Sequence, residues 1–304
     1  MGKRFILFLI ISLFISTIIS AQIRFTLIPD SPRPGDPVTI AVNMPIREAV
    51  LLVNNRQVAR AAGFFVDGIN GQPGFAAAIL AVPSTVEAEN AIIRINNESG
   101  VLVEIPIRIT PREFRSGTIN LDQNLTSLVA DPNPQRTIES ERLWEILNTT
   151  GNQVYHTGRF ILPVTSTRRT SQFGTRRINV YSDGRRVTSI HAGIDFGIPT
   201  GTEVFAVGRG RVVLSRMRIL TGYSVILEHG PGIYTLYYHL DSVLAIEGAI
   251  VETGAVIGLS GSTGFSTGPH LHWELRVSSE NTDPDAFVNR ALIDRDLIIS
   301  RIFN

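Results

Sequence analysis

"GPHLHWEL", Gly268–Leu275, sets two histidines one residue apart in an apolar run that follows a proline. On an extended strand, residues i and i+2 share a face. His270 and His272 then look to one side, while Leu271 and Trp273 look to the other, into a core. Two adjacent imidazoles repel when both are charged. The segment is therefore either a strand edge whose rings meet solvent, or a metal or catalytic site that keeps one ring neutral.

The rest of the chain bears on that choice. Of six histidines, His156 lies early, and His191, His229, His239, His270 and His272 all fall after residue 190. "HAGIDFG" offers His191 and Asp195 with three residues between them. A histidine nitrogen and a carboxylate oxygen suit Zn²⁺, although an isolated pair of this kind is weak evidence. Adding His272 gives three protein ligands and leaves a fourth tetrahedral position for water, the arrangement of a catalytic zinc site. His239 closes the strand-like "TLYYHLD", where alternation puts it on the face opposite Tyr238. With His270 it could serve as general base for a water and as acid or stabiliser in the transition state. His156 and His229 read as hydrogen-bonded structural residues, His229 exposed in the turn "EHGPGI".

Composition narrows the chemistry. The 304 residues suggest two domains at roughly 150 residues each. An apolar fraction of 43% is ample for buried cores. Lys+Arg of 28 against Asp+Glu of 27 gives no argument for nucleic acid as a partner. Cysteine is absent, which excludes disulfides, thiolate metal sites and a lipidated N-terminal Cys, so a metal must use His, Asp or Glu. Lys3 is the only lysine, so the remaining positive charge sits on arginine guanidinium groups.

Residues 1–21, "MGKRFILFLIISLFISTIISA", run from a basic start through an apolar stretch to small residues. That is the order of a signal peptide cleaved after Ala21, short for a permanent span of about 20 residues. Export to the periplasm, cell envelope or medium follows, with membrane attachment only if the segment stays uncleaved.

Residues 22–110 alternate short apolar runs with turns such as "DSPRPGDP" and "NNESG", the pattern of an immunoglobulin-like β-sandwich, and contain no histidine. Residues 111–160 read as a connector: "TSLVADPNPQ" is loop-like, and "TIESERLWEILNTTG" is one helix with Thr137 as N-cap and Gly151 at its end. Residues 161–290 form a second β domain rich in glycine turns, and 291–304 are a C-terminal tail. The expected fold class is all-β.

Three blocks, "HAGIDFGIPTGTEVFAVGRGRVV", "VILEHGPGIYTLYYHL" and "VIGLSGSTGFSTGPHLHWEL", together with "SQFGTRR" at 171–177, resemble the M23 family of zinc metallopeptidases, the lysostaphin/LytM-type peptidoglycan endopeptidases. The likeness covers about 160–290. It implies a compact antiparallel, duplicated-hybrid-motif-like sheet with a groove over one Zn²⁺ per chain. By it, His191, Asp195 and His272 match the zinc ligands, and His239 and His270 match the two catalytic histidines. The implied substrates are stem or cross-link peptides of peptidoglycan. A second reading is a non-catalytic wall-binding regulator or activator of another hydrolase; such relatives typically lack one or more ligands, and here all are present. The Arg-rich "RRINVYSDGRRV" and "DPDAFV", in place of the commoner Asn-Pro ending, are the departures. Arg168, Arg169, Arg176, Arg177, Arg185 and Arg186 are either a guanidinium surface for anionic wall polymers or a solvated loop face.

Overall fold

The computed structural model describes residues 22–87 and 89–304. The expected signal peptide lies outside the described residues. Eight strands come first: β1 (Phe25–Ile28), β2 (Pro37–Val42), β3 (Glu48–Val53), β4 (Arg56–Ala62), β5 (Phe64–Val66), β6 (Phe75–Ala81), β7 (Asn90–Asn97) and β8 (Gly100–Arg108). They form two four-stranded antiparallel sheets, ordered β1-β2-β6-β5 and β4-β3-β7-β8. Asn54 and Asn55 turn β3 into β4 with φ of 50° and 60°, as a tight hairpin with right-handed strand twist requires.

Strands β2 and β6 explain how this region attaches to the rest. In β6, "FAAAILA", every residue is buried. Ala78 and Leu80 enter the core between the two sheets. Phe75, Ala77, Ile79 and Ala81 enter a second core shared with the C-terminal strands. A strand covered on both faces reads as a continuous apolar run rather than an alternation. The sheet is thus a partition between two cores.

Residues 111–160 hold β9 (Ser116–Asn120), α1 (Gln123–Ala130) and α2 (Pro134–Asn148). Two helices stand where one was expected. Asp122 caps the first through Leu125 N at 2.9 Å, turning the part of the supposed loop at 126–130 into helix. The second starts at Asn133, not Thr137, because Pro134 takes the first helical position, where its missing N–H costs nothing. It stops at Thr149, ahead of Gly151. Ile146 and Leu147 dock it on Leu214, Ile226 and Leu236.

The C-terminal strands are β10 (Arg169–Ser171), β11 (Arg176–Val180), β12 (Arg186–Ile190), β13 (Ile194–Phe196), β14 (Glu203–Phe205), β15 (Gly210–Arg218), β16 (Gly222–Gly230), β17 (Ile233–Val243), β18 (Ile250–Val251), β19 (Val256–Ser260), β20 (Leu271–Val277) and β21 (Glu280–Thr282). One sheet runs β10-β13-β20-β17-β16-β15-β18, with β19 joining at β17, β14 at β19 and β21 at β20. A small sheet, β12-β11-β9, uses the connector strand β9 in parallel with β11. Two helices follow, α3 (Asp285–Asn289) and α4 (Arg295–Ile302).

The expected tail at 291–304 is instead structural. Ile298 and Ile302 of α4 are buried in the shared core. Arg301 reaches back to Thr26 Oγ1 at 3.0 Å, and Thr39 Oγ1 donates to the Leu292 carbonyl at 2.9 Å. Arg112 pairs with both Asp36 and Asp283, linking first region, connector and last region through one guanidinium.

Candidate metal centre

Strands β13 and β20 are antiparallel neighbours, with Asp195 opposite His272. Gly193 permits the approach: a Cβ there would stand 2.1 Å from the Trp273 carbonyl oxygen. His191 lies just beyond β12 and reaches the same point. Its Nε2 is 3.0 Å from Asp195 Oδ1 and 3.0 Å from His272 Nδ1, and the last two atoms are 2.7 Å apart. The three donor atoms form a buried group that could hold a metal ion.

The other side of each ring is pinned. His191 Nδ1 donates to the Gln172 carbonyl at 2.8 Å, which leaves Nε2 as the lone-pair nitrogen. His272 Nε2 donates to Glu274 Oε1 at 3.0 Å, which leaves Nδ1 as the lone-pair nitrogen. Asp195 gives Oδ1 to the centre and Oδ2 to Arg177 at 2.7 Å. Histidine ligands are commonly fixed in this way by a carbonyl or carboxylate behind them. Two lone pairs and a carboxylate oxygen aimed at one point are mutually repulsive without a cation, so the donor set fits a divalent metal with nitrogen and oxygen preference.

Burial lowers the His191 pKa below its ordinary value, against the pull of Asp195. Burial would do the same at His272, but Asp195 and Glu274 outweigh it and hold that pKa up at about 9, so without a metal a proton takes the Nδ1 position. Burial also works against the Glu274 carboxylate. Arg276 and His272 overcome it and keep the pKa well below the carboxylate range. Side-chain oxygens of Glu274 accept from Arg276 at 2.8 Å and Asn281 at 3.1 Å.

His239 and His270 complete the cluster, their ring centroids 4.8 Å apart. His239 Nδ1 donates to the Thr263 carbonyl, and His270 Nδ1 to the Gly268 carbonyl, each at 2.8 Å. Both rings therefore keep Nε2 as acceptor. Burial, reinforced by His270 and His272, pushes the His239 pKa down to about 3, so that ring is neutral at neutral pH. His270 Nε2 is 3.8 Å from Asp195 Oδ1.

Simple alternation fails at one point. His239 has φ of 60°, in the left-handed region, and register shifts flank it along β17. The irregularity turns His239 toward the cluster while its neighbour Tyr238 also faces it, stacked on His272 at 5.7 Å and 8°. The two share a groove instead of lying on opposite faces. His270 precedes β20 and is held by a bridge to Gly261, whereas Leu271 and Trp273 are fully buried, as their spacing predicts.

His229 is a buried, not exposed, histidine. Its Nδ1 lies 2.9 Å from the Arg209 carbonyl and its Nε2 2.7 Å from Thr235 Oγ1, and burial takes its pKa down to about 3. His156 stacks on Phe160 at 5.4 Å, with Nε2 3.1 Å from the Arg159 carbonyl. Neither joins the cluster.

Five of the six arginines have partners, and Arg186 is exposed. Arg169 pairs with Asp285, Arg185 with Asp183, and Arg177 with Asp195. Arg168 donates to the Gly197 carbonyl, and Arg176 to the Ser84 carbonyl while lying over Phe114. Arg177 and Glu274 are the functional residues that sequence reasoning did not single out. Glu274 could have been found from its same-face position two residues after His272.

The cluster opens into a groove of about 860 Å³. Its walls include Ser171 and Gln172 on one side, Phe265 to His270 on another, and Ser116 to Ile119 of the connector. The chain thus presents an antiparallel β domain with a His-Asp-His group at the bottom of a groove.

Residues 189–284 match the family model Peptidase family M23. It is 44% identical over 107 residues to the peptidoglycan DD-endopeptidase ShyA of Vibrio cholerae, covering 35% of this chain and 24% of that protein. It is 40% identical over 124 residues to the DD-carboxypeptidase/endopeptidase Mpg of Neisseria meningitidis, covering 41% of this chain and 28% of that protein. The chain therefore spans about a quarter of the length of these relatives. A solved structure of a candidate peptidase M23 from Pseudomonas aeruginosa superposes with a TM-score of 0.61 at 19% identity, covering 84% of this chain and 94% of that one, a likeness of fold.

Proposed function

We propose that the protein is a zinc-dependent endopeptidase that hydrolyses peptide bonds in bacterial peptidoglycan, with the DD cross-links cut by its relatives as the first substrate to test. The observation that carries this reading is the convergence of His191 Nε2, Asp195 Oδ1 and His272 Nδ1, each ligand backed by a partner that fixes its orientation. Zinc held there supplies a Lewis acid that polarises a carbonyl and acidifies water. His239 and His270 are assigned the proton traffic. Each is anchored through Nδ1 and presents Nε2 to the groove, so His239 can take a proton from the attacking water, and His270, once its Nε2 carries a proton, can donate to the negative charge that develops on the scissile carbonyl. Tyr238 holds the His272 ring flat while Arg177 restrains the Asp195 carboxylate.

The intact donor set favours catalysis over a wall-binding regulator, which would need neither the three ligands nor two further imidazoles with open nitrogens. We assign the chain to the exported compartment on the leader-like pattern of residues 1–21. We assign residues 22–110 to an immunoglobulin-like module, because the sheet orders β1-β2-β6-β5 and β4-β3-β7-β8 follow the ABED and CFG arrangement with one strand added beside C.

The test is metal content together with release of products from isolated peptidoglycan. Wild type should bind one zinc and release peptides. His272→Ala should lose both properties, and His239→Ala should keep zinc while losing turnover. A wild-type protein that neither binds zinc nor cuts peptidoglycan overturns the assignment.

A further inference from the structure

Strand β9 brings the connector to the rim of the groove, and its backbone has a direction. Arg176 N donates to the Arg115 carbonyl, and Leu121 N donates to the Val180 carbonyl, both at 2.8 Å. Backbone groups of successive strand residues point alternately to opposite edges. Arg115 and Leu121 face β11, so Gly117 and Ile119, of the same parity, face it too. Ser116, Thr118 and Asn120 then turn their N–H and C=O groups to the other edge.

Among the described residues no strand pairs with that edge. Ser116 to Thr118 and Asn120 are exposed, and the stretch from Ser116 to Ile119 lines the groove that holds the metal centre. Gly117 is the register partner of Arg177, the residue bonded to Asp195. A Cβ added at Gly117 would meet no atom within 4 Å, so nothing fills the space over the strand there. Unpaired strand edges are templates for an added strand, and peptide recognition often uses them.

We propose that the outer edge of β9 is a substrate-binding element: the extended peptide of the substrate pairs with Ser116, Thr118 and Asn120 as an added strand and is thereby aligned over the metal centre. The connector is then one wall of the groove and sets which backbone register of the peptide meets His239 and His270. The occupant is a peptide because continuity with the groove places any added strand beside the reacting groups. This proposal rests on the peptidase reading.

The parity argument supplies the test. Thr118→Pro removes an outward N–H while leaving every bond to β11 in place, and proline is tolerated on an edge with its nitrogen outward. Binding of a purified DD-cross-linked muropeptide dimer is measured by calorimetric titration to the zinc-loaded full chain carrying His239→Ala, with and without Thr118→Pro. Loss of one backbone hydrogen bond should weaken binding about 3- to 10-fold, and Thr118→Ala should bind as the parent does. As a check that needs no substitution on β9, hydrogen exchange at the Thr118 amide should slow when the dimer is added.

Equal affinity in the proline variant, or an unchanged Thr118 exchange rate at saturation, overturns the proposal. So does a chain dimer dissolved by Thr118→Pro with muropeptide binding intact, which would make the edge a self-association surface. Cleavage by wild type is scored separately. Binding with the predicted proline effect but no cleavage refutes the peptidase reading and leaves the edge assignment standing; cleavage without the effect does the reverse.

Discussion

Strands β6 and β20 lie against each other across the shared core, yet they use the same period of two differently. In β6 both faces are apolar, and the strand separates two cores. In β20, "LHWELRV", Leu271, Trp273, Leu275 and Val277 are fully buried on one face. The other face carries His272, Glu274 and Arg276 in a line of alternating charge, each bonded to the next. Burying such groups is costly unless each is paired, and here each is. A scaffold strand and a functional strand therefore differ in what the second face carries, while their anchoring faces obey the same rule.

That contrast can be broken most severely at Trp273. Truncation to Ala should cost about 3–5 kcal/mol and should also reduce metal affinity, because the anchor and the ligand share one strand. Leu80→Ala on β6 should cost about 2–5 kcal/mol with metal content and kcat unchanged. Urea unfolding and metal analysis on both variants decide it. If Leu80→Ala also loses its metal, the two strands are not separable in this way.

A second contrast is between His229, buried without a carboxylate, and His272, buried with two. The folded pKa of His229 is about 3, below its unfolded value near 6.5. Between those values the unfolded chain binds the extra proton, so this contribution to stability is full above pH 6.5 and declines as pH falls toward 3. Wild type should lose about 2 kcal/mol more than His229→Gln between pH 6.5 and 4.5, measured by unfolding midpoints at the two pH values. Equal slopes would remove His229 as an acid-sensitive point.

The smallest effect sharpens the polar face alone. Glu274→Gln keeps the shape and an acceptor for His272 but removes the charge behind the ring. Metal affinity should fall about 10- to 100-fold, read by competition with a chelating dye.

The sequence was legible where chemistry and strand period coincide. His191, Asp195 and His272 converge as their residue types and spacing suggest, and the reverse face of β20 is core. It was misleading where the period breaks: His239 reaches the cluster because a residue at φ of 60° interrupts alternation, and a single histidine letter carries no sign of that. Arg177 was legible only as one arginine in a pair-rich stretch, since its partner Asp195 lies 18 positions away on another strand. His229 looked exposed because "HGPG" reads as a turn, although the ring points inward to Thr235. The connector was read as a spacer because the exposed "SGTIN" has neither apolar alternation nor charge pattern, and only its parallel partner β11 makes it a strand.

The core that joins the two regions draws on residues from Ala41 to Ile302. As the chain is synthesised from its N-terminus, the outward faces of β2 and β6 stay uncovered until β20 and α4 have emerged. His272, the last member of the donor set, arrives in the same final stretch. Contacts of such long sequence separation form late and slowly. Completion of the hydrophobic seam and completion of the metal-binding group are therefore nearly one event in time, so a growing or truncated chain has neither a closed body nor a full donor set.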